Sequence, residues 1–296
     1  MGSSVNGRYK DRLFRFIFGE SKENALSLYN AVNGSSHSNA EDLEFTTIEN
    51  FIFMGMKNDI SFLFNMEMNL FEHQSSPNPN MPLRGLGYLA RGLEAYVQQK
   101  RYNIYGAKRI PLPTPRYVVF YNGEADRPDV QEQRLSEAFA SPGGCLEVVA
   151  TVYNINLGHN RELLESCSLL REYAALIARV RDYRASGVDT EQAVRKAVDD
   201  CIRNGILADI LAKHKAEVIG MLFTEYNEAE TMDMIREESF EEGREEGREE
   251  GREETLVRTI RSLMQKMKWT AEQSMEALDI PMDKRTFYKQ LAASAE

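Results

Sequence analysis

The chain has 296 residues, 42% of them hydrophobic, enough to bury a core larger than that of one small domain. Four scattered histidines and three widely spaced cysteines exclude a zinc knuckle and a disulfide framework, and a formal net charge of −10 argues against a uniformly basic nucleic-acid binder. No apolar run approaches the roughly 18 residues of a membrane span, and the opening residues lack the apolar stretch of a signal peptide, so a reducing cytoplasm is the expected compartment.

Residues 9–18 alternate apolar and basic side chains at helical spacing. Ser21 can cap a second helix, with Asn24 at the third position in place of the Glu of a full capping box. That helix runs to about Val32 and stops at Asn33-Gly34-Ser35-Ser36. Phe45-Thr46-Thr47-Ile48 reads as a short strand.

The next stretch, Lys57 to Phe64 followed by Glu67 to Gln74, reads as a β-hairpin. With Asn65-Met66 as a two-residue turn, facing residues have numbers that sum to 131: Phe64 faces Glu67, Phe62 faces Asn69 and Asp59 faces Glu72. Opposed residues of an antiparallel pair point to one side of the sheet with Cβ atoms roughly 5 Å apart. Two carboxylates at that spacing repel unless a cation or a proton stands between them, and hard oxygen ligands of this kind suit Mg²⁺. Alternation also puts Gln74 on the Glu72 side. By the same parity Glu67 and His73 face away. A turn longer by one residue would reverse this and make Glu67-Met68-Asn69 the metal strand.

Ser75-Ser76-Pro77-Asn78-Pro79-Asn80 is a polar loop leading to a helix over 82–99. The prolines of 111–115 block helix and central strand alike, and 116–121 is an apolar run that fits a buried strand ended by Asn122-Gly123. A helix is expected over 130–139 and a strand over 146–155. Residues 82–127 hold eight bases against three acids, a local excess that could hold a phosphate backbone. His159 precedes a helix. From about residue 160 the pattern is helical, over 163–183, 191–202 and, after a break at Gly205, 206–226.

Residues 241–254 repeat Glu-Glu-Gly-Arg three times and end in Glu-Glu. Opposite charges at i,i+3 add a few tenths of a kcal/mol each, while each glycine costs about 0.8–1 kcal/mol relative to alanine. With no apolar stripe, a solvated helical spacer is expected. Residues 225–254 hold fourteen of the 46 acids and four of the 36 bases, so this stretch carries the whole −10 and the remainder balances at 32 of each. Beyond it, Leu256, Ile260, Leu263, Met264 and Met267 share a face. Thr270 can cap a helix through Leu278, Asp279-Ile280-Pro281 turns, and a helix follows over 283–291. These are the proportions of a helical hairpin or oligomer contact more than of a DNA reader.

An acid opening one strand and Glu-x-Gln on the next resembles the metal site of the PD-(D/E)XK nuclease superfamily. Phe71-Glu72-His73-Gln74 is similar in form to the recombination-promoting nuclease / putative transposase family. Asp11-Arg12-Leu13-Phe14-Arg15-Phe16-Ile17-Phe18-Gly19 resembles that family's opening helix, with Arg15 in place of a Lys, and Arg84 leading into Gly87-Tyr88 resembles its Arg-x-x-x-Tyr segment. The resemblance covers about residues 9–185. It implies an α/β fold whose core, 1–185, is a PD-(D/E)XK nuclease-like mixed sheet flanked by helices. A helical extension (186–235), the charged spacer (236–254) and a small helical segment (255–296) would follow. It implies a metal-dependent DNA endonuclease, with Asp59 and Glu72 holding Mg²⁺ or alternatively Mn²⁺. Gln74 would position a water or phosphate oxygen where the superfamily usually has Lys, which leaves the general base unassigned, and Arg84 would stabilise phosphate charge. The superfamily often draws an extra acid from its first helix, for which Asp11, Glu20 and Glu23 are candidates. The implied partner is DNA and not a membrane, with homo-oligomer contacts through the C-terminal helices. The alternative is a catalytically inactive nuclease-fold module that binds nucleic acid or protein, or oligomerises through its C-terminal part.

Overall fold

A computed structural model of the chain describes residues 12–46, 59–141 and 143–293. The chain is α/β, with a six-stranded mixed sheet flanked by helices. It divides into two compact units, Met1–Glu228 and Ala229–Glu296.

In the first unit, α1 (Arg12–Phe18) leads to α2 (Lys22–Asn33). The Ser21 hydroxyl accepts from Asn24 N at 3.2 Å as the cap, and Gly34, at φ 60°, closes the helix in the left-handed conformation that glycine adopts without steric cost. β1 is short, Glu44–Phe45; Thr47 and Ile48, expected to extend it, lie outside the described residues, as do Asp11, Lys57 and Asn58. The hairpin follows as β2 (Ile60–Phe64) and β3 (Glu67–Gln74), then α3 (Met81–Gln99), β4 (Thr114–Tyr121), β5 (Val130–Arg134) and β6 (Val149–Asn154). The spatial order is β1-β2-β3-β4-β6-β5, with β3, β4 and β6 parallel and the other pairs antiparallel. The helices α4 (Arg161–Ser166), α5 (Ser168–Ala185), α6 (Thr190–Arg203) and α7 (Ala208–Lys213) come next, and α8 (Lys215–Met267) begins in this unit.

Strand alternation sorts the core into two layers. Ile60, Phe62, Phe71, Val118 and Phe120 face α1, α2 and the later helices, and this layer continues through Val194, Val198, Leu211, Val218 and Leu222. Its packing therefore runs well past residue 185, where the nuclease-like core was expected to end. On the opposite sheet face, Met68, Leu70, Tyr117, Val119 and Ala150 pack against Met81, Tyr88, Leu89 and Tyr96 of α3.

Four expectations change. Residues 130–134 form an edge strand, not the start of a helix. Gln131, Glu132, Gln133 and Arg134 favour helix as isolated residues, but antiparallel pairing with β6 overrides that preference, and their exposure suits an edge. β4 begins at Thr114 and so includes Pro115, which pairs with Met68. The ladder to β6 starts only at Val118, so Pro115 has one flank without a partner strand, the position where a missing N–H is tolerated. The expected helix over 163–183 is broken at Cys167 into α4 and α5, and that over 206–226 is broken at His214 into α7 and α8.

In the second unit, Thr270 forms a full capping box with Gln273 ahead of α9 (Ala271–Ala277), and α10 (Met282–Ala293) follows. Ile260, Met275, Ile280 and Tyr288 form its small core with Leu256 and Met264 at the margin, while Met267 is exposed. The repeat lies within α8, and its described side chains are exposed except for the half-buried Glu253, as a solvated helix requires.

Candidate functional site

The site is built first by a turn. Asn65 and Met66 both have positive φ, 50° and 58°, the signature of the type I′ turn whose twist matches that of a hairpin. The pairing runs from Phe64↔Glu67 to Ile60↔Phe71. The pairing expected for Phe64 with Glu67 and Phe62 with Asn69 is present, and continued one residue past Ile60↔Phe71 the same register would bring Asp59, just before β2, opposite Glu72. Asp59 Oδ2 accepts from His73 N at 2.7 Å, which ties the Asp59 carboxylate to the β3 backbone beside Glu72.

Met68, Leu70, Glu72 and Gln74 share the α3 side of β3. Glu72 is only 1% exposed. The first turn of α3 brings Arg84 to it, with Nη2 at 3.1 Å from Glu72 Oε2. The same Nη2 donates to Tyr88 Oη at 3.5 Å, and Nη1 lies 3.6 Å from Met81 Sδ. Arg84 and Tyr88 are four residues apart and so lie on one side of the helix. The helix can sit this close to β4 because residue 85 is glycine: a Cβ there would stand 2.5 Å from the Tyr117 ring.

Charge and burial are coupled in this cluster. Burial, reinforced by the Glu72 carboxylate, pushes the Tyr88 hydroxyl up to about 12. The same two causes hold Tyr117 well above the ordinary phenol range, and Asp59 acts on both tyrosines in the same sense. Burial, the largest single influence, would lower Arg84, but Glu72 together with Tyr88 and Tyr117 outweighs it and the guanidinium stays firmly charged. The site thus presents two carboxylates, one fixed cation and two hydroxyls that keep their protons.

The other candidates lie elsewhere. Glu67 faces the opposite side, where it accepts from Tyr29 Oη at 2.8 Å and from Arg116 Nε and Nη2 at 3.0 and 2.8 Å. His73 is buried on that side too, 3.1 Å from Tyr173 Oη and stacked on Phe14 at 5.2 Å between ring centroids. Glu23 is a surface acid bonded to the Ser21 hydroxyl at 2.9 Å, Glu20 is exposed, and Asp11 is outside the described residues. His159 pairs with Asp129 at 2.7 Å just before α4. The bases of 82–127 do not make one face. Arg84 belongs to the carboxylate cluster, Arg116 to Glu67, and Lys100 and Arg101 follow the far end of α3, roughly 24 Å along its axis from Arg84 at 1.5 Å per residue. Among the described residues, no group of three or more His, Cys, Asp or Glu gathers to hold a metal ion, and no helix is long and apolar enough to cross a membrane.

Past Glu72, Gln74 opens onto a cavity of about 220 Å³ at the carboxyl ends of β3, β4 and β6. The Pro77–Pro79 loop forms one wall, and Gln131 and Gln133 of β5 form another. Sequence reasoning missed this feature because it read β5 as a helix. It also missed Tyr117, whose only sequence signal is its place in an apolar strand.

No protein-family model, curated protein or solved structure matches the chain.

Proposed function

We propose that the protein is a metal-dependent phosphodiesterase acting on DNA, of the PD-(D/E)XK type. The observation that supports this reading is the hairpin register, which, continued one residue past Ile60↔Phe71, brings Asp59 opposite Glu72, with Gln74 two residues on and Arg84 3.1 Å from Glu72. The donor set fits a hard divalent ion: two carboxylates, with no thiolate or imidazole between them. Asp59 and Glu72 would hold Mg²⁺, or Mn²⁺, which when bound supplies charge neutralisation at the scissile phosphate and a water of lowered pKa.

The chain's own groups do the rest. Arg84, held by Glu72 and Tyr88, places a permanent positive charge where phosphate charge accumulates. Gln74 carries no titratable proton, so its part is to orient a water or phosphate oxygen by hydrogen bonding. Tyr88 and Tyr117 keep their protons far above neutral pH and act as donors, not bases. One observation favours the rival reading, a nuclease-fold binding module without activity: Glu72 already has a cation of the chain beside it in Arg84.

The two readings separate in one series. Mg²⁺ titration calorimetry on the wild type should show a saturable site that Asp59→Ala abolishes. Asp59→Asn should also abolish DNA cleavage in Mg²⁺ while leaving DNA binding equal or tighter, because a charge that repels phosphate is gone. Glu72→Gln should do the same, assayed well below its melting temperature because it leaves Arg84 without its carboxylate, at a cost of about 3–5 kcal/mol. Undiminished cleavage by both variants would refute the site. A wild type that binds DNA but cuts none in Mg²⁺ or Mn²⁺ would establish the binding module instead.

A further inference from the structure

Residues 100–113 join α3 to β4 without helix or strand. A connection of this length with no secondary structure is uncommon in a compact domain, and binding loops account for many of them. Its two ends meet at the hairpin turn. Lys100 N donates to Tyr96 O at 3.0 Å, Tyr96 Oη lies 3.8 Å from Met66 Sδ, and Thr114 N donates to Met66 O at 2.8 Å. The segment is therefore a closed surface loop of the Ω kind. Asn103 shapes its tip: the side-chain Oδ1 accepts from Tyr105 N at 3.0 Å and the backbone carbonyl from Gly106 N at 3.1 Å. Pro111, Pro113 and Pro115 stiffen the returning limb.

The loop presents positive charge and one bare ring. No acid occurs in the sequence between Glu94 and Glu124. Lys100, Arg101, Lys108 and Arg109 are all exposed, and none makes an ion pair among the described residues. Lys100 lies over the Tyr96 ring at 5.7 Å, and the carboxylate at this end of α3, Glu44, accepts from Gln99 Nε2 at 3.0 Å. Tyr105 is 91% exposed, more than any other large hydrophobic side chain among the described residues, and Ile104 and Leu112 of the same loop are exposed as well. A single exposed apolar side chain is ordinary. A nearly bare ring set among four unpaired cations, in a chain of net charge −10, is a binding surface for a polyanion that offers the ring a partner.

We infer that the 100–113 loop binds single-stranded DNA, with Tyr105 stacked on one base and Lys108 and Arg109 on the flanking phosphates. Backbone-tracking cations and an open aromatic face are the two parts of single-strand recognition. Bases within a duplex stack on one another and leave no face free, so the ring selects a single strand. The surface is distinct from the carboxylate cluster: Thr114, where the loop ends, pairs with Glu67, five residues along β3 from Glu72, or about 17 Å at roughly 3.3 Å per residue. The inference rests on the phosphodiesterase reading only for the choice of DNA over RNA.

The test is fluorescence anisotropy with the full-length chain in EDTA, so that no metal and no cleavage enter the readout. The probes are a labelled oligothymidylate, the matching oligouridylate and a DNA duplex of the same length. Tyr105→Ala should weaken oligothymidylate binding roughly five- to a hundredfold, the worth of one stacked base, and leave duplex binding unchanged. Tyr105→Trp should keep or tighten single-strand binding. Replacing Lys108 and Arg109 together by alanine should weaken it and lower the slope of log affinity against log salt by about 1.4, at roughly 0.7 per phosphate contact. All three side chains are exposed, so these variants keep the fold, and Tyr105→Trp is the control for it. Single-strand binding unchanged in Tyr105→Ala, an equal loss of duplex binding, tighter binding of oligouridylate than of oligothymidylate, or no single-strand binding at all would overturn the inference. Capture of the chain by phosphatidylserine vesicles that Tyr105→Ala abolishes would overturn it too, by assigning the loop to an anionic membrane surface. Failure to cleave DNA in Mg²⁺ would sink the phosphodiesterase reading and leave the Tyr105 result standing. Cleavage by a chain whose single-strand binding ignores Tyr105 would do the reverse.

Discussion

Glu72 adds to burial in shifting the ionisation of Tyr88 and Tyr117 and opposes it at Arg84. It helps to hold Arg84 charged, and together with burial it raises Tyr88 to about 12 and Tyr117 well above its usual value. A hydroxyl whose folded pKa lies above its unfolded value of about 10 contributes stability that is complete below that value. The contribution is lost as pH climbs through the folded pKa. Stability should therefore hold flat up to about pH 10 and fall on approach to about 12, with Tyr29 and Tyr226, also raised to about 12, adding to the drop. Phenolate absorbance followed against pH should show these tyrosines ionising late. In Glu72→Gln, Tyr88 and Tyr117 should ionise earlier than in the wild type yet still above the free phenol, because burial, the larger cause, remains. A titration curve unmoved by that substitution would mean that Glu72 does not act on them.

At the scale of elements, the hairpin was legible because a side-chain period of two and a two-residue turn leave one register. Extended by one residue, that register brings Asp59 opposite Glu72, and it sends Glu67 and His73 to the other face. β5 was not legible, because Gln, Glu and Arg speak for helix until β6 offers them a ladder. Nor was the Glu72–Arg84 pair: it depends on how close α3 comes to β4, which Gly85 permits but does not announce. The turn itself is imperfect. Type I′ favours Asn-Gly, and here a methionine, 53% exposed, occupies the second left-handed position. Met66→Gly should raise the urea midpoint with an unchanged slope, by about 1 kcal/mol of relieved backbone strain. The loss of the Tyr96 Oη to Met66 Sδ contact at 3.8 Å would offset part of that gain. A lower midpoint would show that the side-chain contact outweighs the strain.

For the whole molecule, the decisive question is where the first unit ends. Composition places the change at the acidic stretch, since 225–254 carries the entire net charge, and the resemblance places the end of the nuclease-like core near 185. Packing places it later than 185, because the opening of α8 belongs to the sheet's own core: Val218 and Leu222 are fully buried and Ile219 is 8% exposed. Ending the chain after Glu228 keeps these three side chains and should leave a monomeric unit that unfolds cooperatively. Ending it after Lys213 removes them. Burying an aliphatic side chain of this size is worth about 1.5–3 kcal/mol, so their joint loss is comparable with the 5–15 kcal/mol that holds a typical domain together. The shorter chain should be insoluble or should unfold at a much lower denaturant midpoint. Comparing the two truncations by urea unfolding locates the boundary: equal midpoints would show that the start of α8 lies outside the core, and loss of folding in the longer one would show that residues 229–296 are part of it.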